Sequence, residues 1–377
     1  MIRTSQRVNL YSRISSQVPS VDESHNMIPS GPQFRTDVLT GQQVIVAPLR
    51  SHRPAAYLPD PPLNHLLDPF AEGHEGETPD ERFAIRISDS VPDGPGWMLR
   101  VVPNRYPSVI LASMQDATAA ATSDPAMFPC RPASGEHDVV IECPDHRSRM
   151  AELSPAEIQQ TLAAWRTRMQ QLMQSPSICA VAIFRNEGFS AGASLAHCHS
   201  QILATTELMP LDLARHARAA RHRSATGRDL VQDLWNAERT QETRLIRETE
   251  FFGICCPFAS RMSWQVRFVP KQTQTDSFAN ASDAMLQDLA GSLKSTLIAL
   301  EKTLGGPFSF NLTLSHPRID QPAAFSWHLD LLPRTGRMAG WELLTNVDVV
   351  TVAAEIAAEK IRRALECTPV VQGLPAK

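Results

Sequence analysis

Residues 178–201 read ICAVAIFRNEGFSAGASLAHCHSQ, and the order of chemistry in that stretch decides the fold. An apolar run from Ile178 to Phe184 leads to Asn186, then Gly188 and Gly192, then Ser194, and closes on His197, His199 and Gln201. In a strand alternate residues share a side, so both imidazoles are expected on one face. The glycines let backbone amides approach an anion, and Asn186 and Ser194 add side-chain donors. With 12 histidines in 377 residues, roughly 0.4 His-x-His pairs arise by chance. The pair alone could be structural; the string around it carries the reading.

The same order of features occurs twice. Upstream, Val139, Val140 and Ile141 give a strand pattern, PDH follows at 144–146, and a helix is signalled next. Ser154 is its N-cap, Pro155 its first position and Glu157 the partner in a capping box, with Ile158, Leu162, Trp165, Met169 and Leu172 on one face. Downstream, Val266, Phe268 and Val269 precede PKQ at 270–272 and a helix bearing Leu286, Leu289, Leu293, Leu297 and Leu300. Each unit then leads through an Asn to a His-bearing strand, 60 residues from Val139 to His199 and 62 from Val266 to His328. Four features in matching order predict a duplicated α+β unit with helices packed on antiparallel sheets. The expected division is an N-terminal unit at 31–205 carrying the active site and a C-terminal unit at 206–367. A flexible segment at 1–30 and a loose tail at 368–377 flank them. The Ala-, Ser- and Pro-rich run 111–135 reads as a surface loop.

Composition limits the partners. With 42% apolar and 20% charged residues, the chain can bury a large core, and a formal net charge of -4 gives no general attraction to nucleic acid or anionic membrane. The expected partners are small molecules. The first thirty residues, with Arg3, Ser5, Arg7, Asn9 and Asp22, lack the apolar core of a signal peptide, and no run approaches the roughly 20 apolar residues of a membrane span. Seven cysteines without a CxxC pair argue against a disulfide scaffold, so a reducing cytoplasm is expected.

The string from Asn186 to Gln201 resembles the active-site signature NxGxxxGxSxxHxHxQ of galactose-1-phosphate uridylyltransferases and their relatives in the histidine triad superfamily, and fills every fixed position. LTGQQVIVAPLRSHRP, Leu39 to Pro54, resembles the family's opening segment, placing Arg50 and Arg53 as its two arginines. LRVVPNRYP, Leu99 to Pro107, resembles its nucleotide-contacting strand, with Asn104 in place. ECPDHRSRM places His146, and FSWHLDLLPR with GWE at 340–342 resembles the C-terminal unit and places Glu342 where the hexose is contacted. The resemblance implies histidine-triad-like units. It makes His199 the nucleophile of a covalent nucleotidyl-histidine, aided by Gln201 and Ser194, with Arg50, Arg53, Asn104, Asn186, Gly192 and Glu342 binding substrate. Triad hydrolases carry a third histidine where this chain has Gln201. A neutral amide is neither acid nor base, so glutamine there favours transfer to phosphate over hydrolysis.

The chain departs from the family at its metals. Many relatives hold structural zinc with a CxxC pair, the counterpart of His146 and the first His of the pair, here His197. The segment that carries those thiolates reads DPFAEGHE here, Asp68 to Glu75, so Asp68 and Ala71 replace them, with His74 nearby. In the C-terminal unit GRDLVQ, Gly227 to Gln232, puts Asp229 and Gln232 in place of sulfurs, and the second His-x-His is reduced to Ser326 and His328. Without thiolates the tight sulfur–nitrogen shell is lost, and no bound zinc is expected.

The expected activity is transfer of a nucleoside monophosphate, UMP first, from a nucleotide sugar to a hexose 1-phosphate. Adenylyl transfer to inorganic phosphate, as in ADP-glucose phosphorylases, stays open, as does a non-catalytic nucleotide-binding protein. Arg334 and Arg337 are equally readable as acceptor-phosphate ligands or surface charge, and a homodimer is compatible with the resemblance.

Overall fold

The computed structural model describes residues 31–52, 68–87, 89–111, 126–271, 277–320 and 324–367. The expected end segments at 1–30 and 368–377 lie outside them, as does most of the expected loop, 112–125. Strands β1 (Gln33–Thr36), β2 (Gln43–Val46), β3 (Phe83–Arg86), β4 (Trp97–Pro103) and β5 (Gly135–Ile141) lead to helix α1 (Pro155–Leu172), then β6 (Ala180–Glu187) and β7 (His199–Thr205). Helices α2 (Pro210–Thr226) and α3 (Leu230–Gln241) connect to β8 (Leu245–Glu248), β9 (Phe252–Cys255) and β10 (Val266–Pro270). Helix α4 (Asp283–Leu304), β11 (Phe310–Ser315), β12 (His328–Pro333), α5 (Gly340–Thr345), β13 (Asp348–Val350) and α6 (Ala354–Glu366) complete the order.

Ten strands form one sheet in the order β3-β4-β5-β7-β6-β11-β12-β10-β9-β8. From its centre outward the order repeats itself: β6 matches β11, β7 matches β12, β5 matches β10, β4 matches β9 and β3 matches β8. All its pairings are antiparallel. The halves meet where β6 pairs with β11 and Asn186 stands opposite Asn311, so the asparagines of the two sequence units face each other. The boundary expected after residue 205 falls at the end of β7, and the sheet runs on across both halves. β1, β2 and β13 form a separate small sheet in which β13 runs parallel to β2, an exception to the antiparallel expectation.

Local signals account for the two central helices. Ser154 Oγ accepts from the Glu157 amide at 3.2 Å and the Glu157 carboxylate accepts from the Ser154 amide at 2.7 Å, closing the capping box. Ser282 caps α4 by accepting from the Met285 amide alone, and Gly305 ends it in the left-handed conformation. The apolar faces of α1 and α4 pack together and against one side of the sheet. There Trp165, Leu289, Leu293, Phe252, Phe268 and Trp327 are fully buried, each contributing about 1.5–3 kcal/mol. Trp165 Nε1 also donates to Ser200 Oγ at 2.8 Å, tying α1 to β7. With Ser200 and Ile202 turned to the helices, His199, Gln201 and Leu203 face the other side.

Candidate active site

His199 is the first residue of β7, opposite Ile141. His197 lies just ahead of the strand rather than within it, because β5 ends at Ile141 before the Pro144 turn and offers no further ladder. Backbone contacts hold this segment instead: the Cys198 amide donates to Arg147 O at 2.7 Å, and the Glu142 amide to Cys198 O at 3.0 Å. The His199 ring is buried and meets the Phe70 ring edge-on at 5.2 Å. Nδ1 donates to the His197 carbonyl at 2.8 Å, which leaves the lone pair on Nε2. Burial pulls the pKa down to about 4, and the nearby Arg185 charge adds to this, so the imidazole is neutral at pH 7.

The start of the string, from Asn186 to Gly188, packs against β11 and the residue before it. Asn186 Oδ1 accepts from Asn311 Nδ2 at 2.9 Å, which turns the Asn186 NH2 away as an available donor. Gly188 has φ +84°, and a Cβ there would lie 1.8 Å from Ser309 Oγ. Gly192 has φ +85°. The turn does not offer all its amides to an anion, as the sequence suggested: those of Ala191 and Ala193 bond Gly188 O, and that of Gly192 bonds Phe189 O. Ser194 is exposed beyond the turn. Asn104 accepts from the Tyr106 amide at 2.8 Å and donates its own amide to His137 O.

Arg50 and Glu342 flank strands of the small sheet. Arg50 is exposed in the turn after β2, and Glu342 caps α5, its carboxylate accepting from the Ala339 amide at 2.9 Å. Arg50 thus follows β2 and Glu342 precedes β13, and no hydrogen bond among the described residues joins either to the His199 group. Arg53 lies outside the described residues.

Two neighbours, Arg185 and His137, were not legible in the sequence, and a third, Arg334, was one of two open candidates. Arg185, on the helix side of β6, is buried with Glu142 and Glu187 beside it, and also reaches His199 O at 3.4 Å. Burial works against its charge, but the two carboxylates outweigh that and raise its pKa well above the usual arginine value. Arg334 reaches the glycine turn through Nε to Ser190 O at 3.3 Å, so of the two arginines considered it is the one brought to the loop. His137 bonds Gln201. A cavity of about 970 Å³ opens beside the site; Phe184 and Leu203 line it together with Arg215, Arg267, Thr313 and Asp330. Phe184 is the register partner of Gln201.

Asp68, His146 and His197, at expected metal positions, bring their ligand atoms within 4.8 Å of one another and also make hydrogen bonds. Asp68 Oδ2 lies 2.7 Å from His146 Nδ1 and 2.8 Å from His197 Nδ1, and His197 Nε2 lies 2.8 Å from Cys143 O, so His197 makes both of its bonds at once only when both ring nitrogens carry hydrogen. Ligands of a tetrahedral zinc at its usual bond lengths stand about 3.3 Å apart; these atoms are at hydrogen-bond distance. Ala71 offers no ligand atom, and His74 instead faces Glu77 at 3.9 Å. Burial alone would raise the Asp68 pKa, but the His197 and His146 contacts and the Phe70 amide hold it below the usual range. This set does not fit the closed zinc shell of the resemblance. In the other half Asp229 caps α3, and Gln232 Nε2 donates to Pro270 O at 2.8 Å and Ser326 Oγ at 3.2 Å.

The second half does not repeat the chemistry. His328 opens β12 as His199 opens β7, but it is fully buried. Asp330, at the place of Gln201, is tied to Arg267 by two contacts of 2.8 Å.

A family model for galactose-1-phosphate uridyl transferase, N-terminal domain, matches residues 93–209, which span β4 to β7 and the whole histidine string. The chain carries that family's N-terminal domain. ADP-glucose phosphorylase of Arabidopsis thaliana is 29% identical over 338 residues, covering 88% of this chain and 92% of the relative. A galactose-1-phosphate uridylyltransferase of Haemophilus influenzae is 26% identical over 261 residues, covering 67% and 73%. The crystal structure of the Arabidopsis ADP-glucose phosphorylase with bound ADP-glucose superposes with a TM-score of 0.72 at 27% identity, covering 88% of this chain and 99% of that one. Over that domain and along most of these relatives the chain is similar to nucleotidyltransferases of this type. No helix among the described residues is long and apolar enough to cross a membrane.

Proposed function

We propose that the chain moves a nucleoside monophosphate through a covalent bond to His199, taking AMP from an ADP-sugar and delivering it to inorganic phosphate. The observation that carries the chemistry is the neutral, tautomer-fixed His199 with its free Nε2 beside the Gln201 amide. Nε2 attacks the α-phosphorus, a P–N bond forms, and the bond to the bridging oxygen breaks with its electron pair leaving on the sugar 1-phosphate. That leaving group is a stable anion, so the site needs little acid help, and the Gln201 NH2 stabilises the phosphoryl oxygens. A phosphate oxygen then attacks the same phosphorus, the P–N bond breaks, and ADP and free His199 result. Arg334 beside the glycine turn supplies positive charge for the acceptor. We further propose that the Asp68 bridge holds His146 and His197 without zinc.

The donor rests on the extent of likeness to the ADP-glucose phosphorylase, which runs over 92% of that relative. Uridylyl transfer to hexose 1-phosphate is the second reading, favoured by the family domain and the Haemophilus relative. Incubation with ADP-glucose and UDP-glucose, each labelled in its nucleotide, tests both. Acid-labile label on His199 from ADP-glucose, released as ADP by phosphate, supports the first reading. Label only from UDP-glucose, released only by hexose 1-phosphate, replaces it with the second. No label from either removes both.

A further inference from the structure

We propose that His137 is a positioning residue that fixes which end of the Gln201 amide faces the phosphoryl group; this rests on the role given to Gln201 above. His137 sits on β5 opposite Leu203, one pleat from the Val139 and Gln201 pair, so its ring and the Gln201 side chain share the open face of the sheet. The residue is buried. Its Nδ1 accepts from the Ser108 backbone amide at 3.1 Å, and a backbone amide can only donate. The neutral ring therefore carries its hydrogen on Nε2, which stands 2.8 Å from Gln201 Oε1.

A carboxamide offers one acceptor end and one donor end of nearly equal shape, and sterics alone barely distinguish them. Only the oxygen can meet an N–H, so the His137 bond turns the Gln201 NH2 toward the remaining free side. Asn104 Nδ2 also comes within 3.3 Å of His137 Nε2, but there donor meets donor and no bond forms. Released from His137, the amide can flip and present its carbonyl lone pairs to phosphoryl oxygens, which repel them. A backbone amide thus sets a histidine tautomer, the tautomer sets the amide, and the amide sets the charge offered to the transition state.

The test is single-turnover nucleotidylation with nucleotide-labelled ADP-glucose and UDP-glucose, together with donor affinity, for three substitutions in wild-type and Gln201→Ala backgrounds. His137→Ala removes the bond and should slow transfer about tenfold. His137→Glu offers only an acceptor, reverses the amide and should slow it about 100-fold, the scale of a lost oxyanion donor. His137→Gln can accept from Ser108 and donate to Gln201, and should recover most of what alanine loses. Donor affinity should change less than threefold throughout, and none of the three should slow Gln201→Ala further. Rates indifferent to His137→Ala and His137→Glu overturn the proposal, as do equal losses in all three variants or losses that multiply with Gln201→Ala. An unaltered rate in Gln201→Ala alone overturns the underlying reading of Gln201, and the inference with it. If His137→Glu fails to fold, as circular dichroism would show, the alanine variant in the two backgrounds still decides.

Discussion

At the scale of single residues, the nucleophile's protonation gives the sharpest prediction. His199 is buried and beside Arg185, and both effects lower its pKa from the ordinary 6.5 to about 4. Nε2 therefore keeps its lone pair well below neutrality, and the acid limb of single-turnover nucleotidylation by a nucleotide sugar should fall near pH 4. A limb centred near 6.5 would mean an accessible imidazole and contradict the burial. The sign for stability follows from the same shift. The unfolded chain binds this proton more readily, so stability contributed by the neutral ring is present above about pH 6.5 and is lost progressively as the pH falls toward 4. The rate must accordingly be read on protein whose far-ultraviolet dichroism shows it folded. His199, Gln201 and Asn186 were legible because one continuous string carries them. His137 and Arg185 were not, and the sequence left Arg334 even with Arg337, because their contacts depend on strand register: His137 and Gln201 are 64 residues apart, Arg334 and Ser190 144.

At the scale of elements, β6 carries opposite chemistry on its two sides. Phe184 and Asn186 face the cavity side, while Arg185 faces the helices with the carboxylates of Glu142 and Glu187, all three nearly inaccessible. Deleting the cation alone strands two buried acids. Arg185→Met should therefore lower unfolding free energy by about 3–5 kcal/mol in urea titrations, and replacing both glutamates by leucine in the same chain should restore much of it. A loss below about 1 kcal/mol would show that the acids simply take up protons. The same alternation explains what could be read of the elements beforehand. α1 and α4 announce themselves by caps and a 3.6-residue apolar period, both local. α2 has a single buried residue, Ala219, and no apolar stripe, so its segment reads only as a join. The small sheet was invisible because it pairs Val44 with Asp348, a contact no local pattern encodes. Arg50 follows β2 and Glu342 precedes β13, so a motif match places each by its local string and not by its neighbours in space.

At the scale of the whole molecule, residues at the expected metal positions of both halves make hydrogen bonds. Asp68, His146 and His197 nevertheless stand close enough to hold an ion, and the final prediction concerns which of the two holds them. In the first half one Asp68 oxygen meets two imidazoles, and His197, thus fixed, offers its carbonyl to His199. In the second half the Gln232 amide joins Pro270 and Ser326. If these bonds do the work of a metal, protein purified from zinc-supplemented medium should contain well under one zinc per chain. Chelators should leave its melting temperature unchanged, because a metal absent from the native state adds nothing by linkage. Asp68→Ala should then cost about 1–3 kcal/mol, since buried His197 loses its acceptor. His146→Ala should cost far less, because the His146 side chain is 72% exposed and its bond competes with water. The alternative makes the opposite ranking. Were Asp68, His146 and His197 to open out around an ion, His146→Ala would remove a ligand and lower zinc content and melting temperature together. One zinc per chain, a chelator-sensitive melt and a sensitive His146→Ala would therefore refute the bridge.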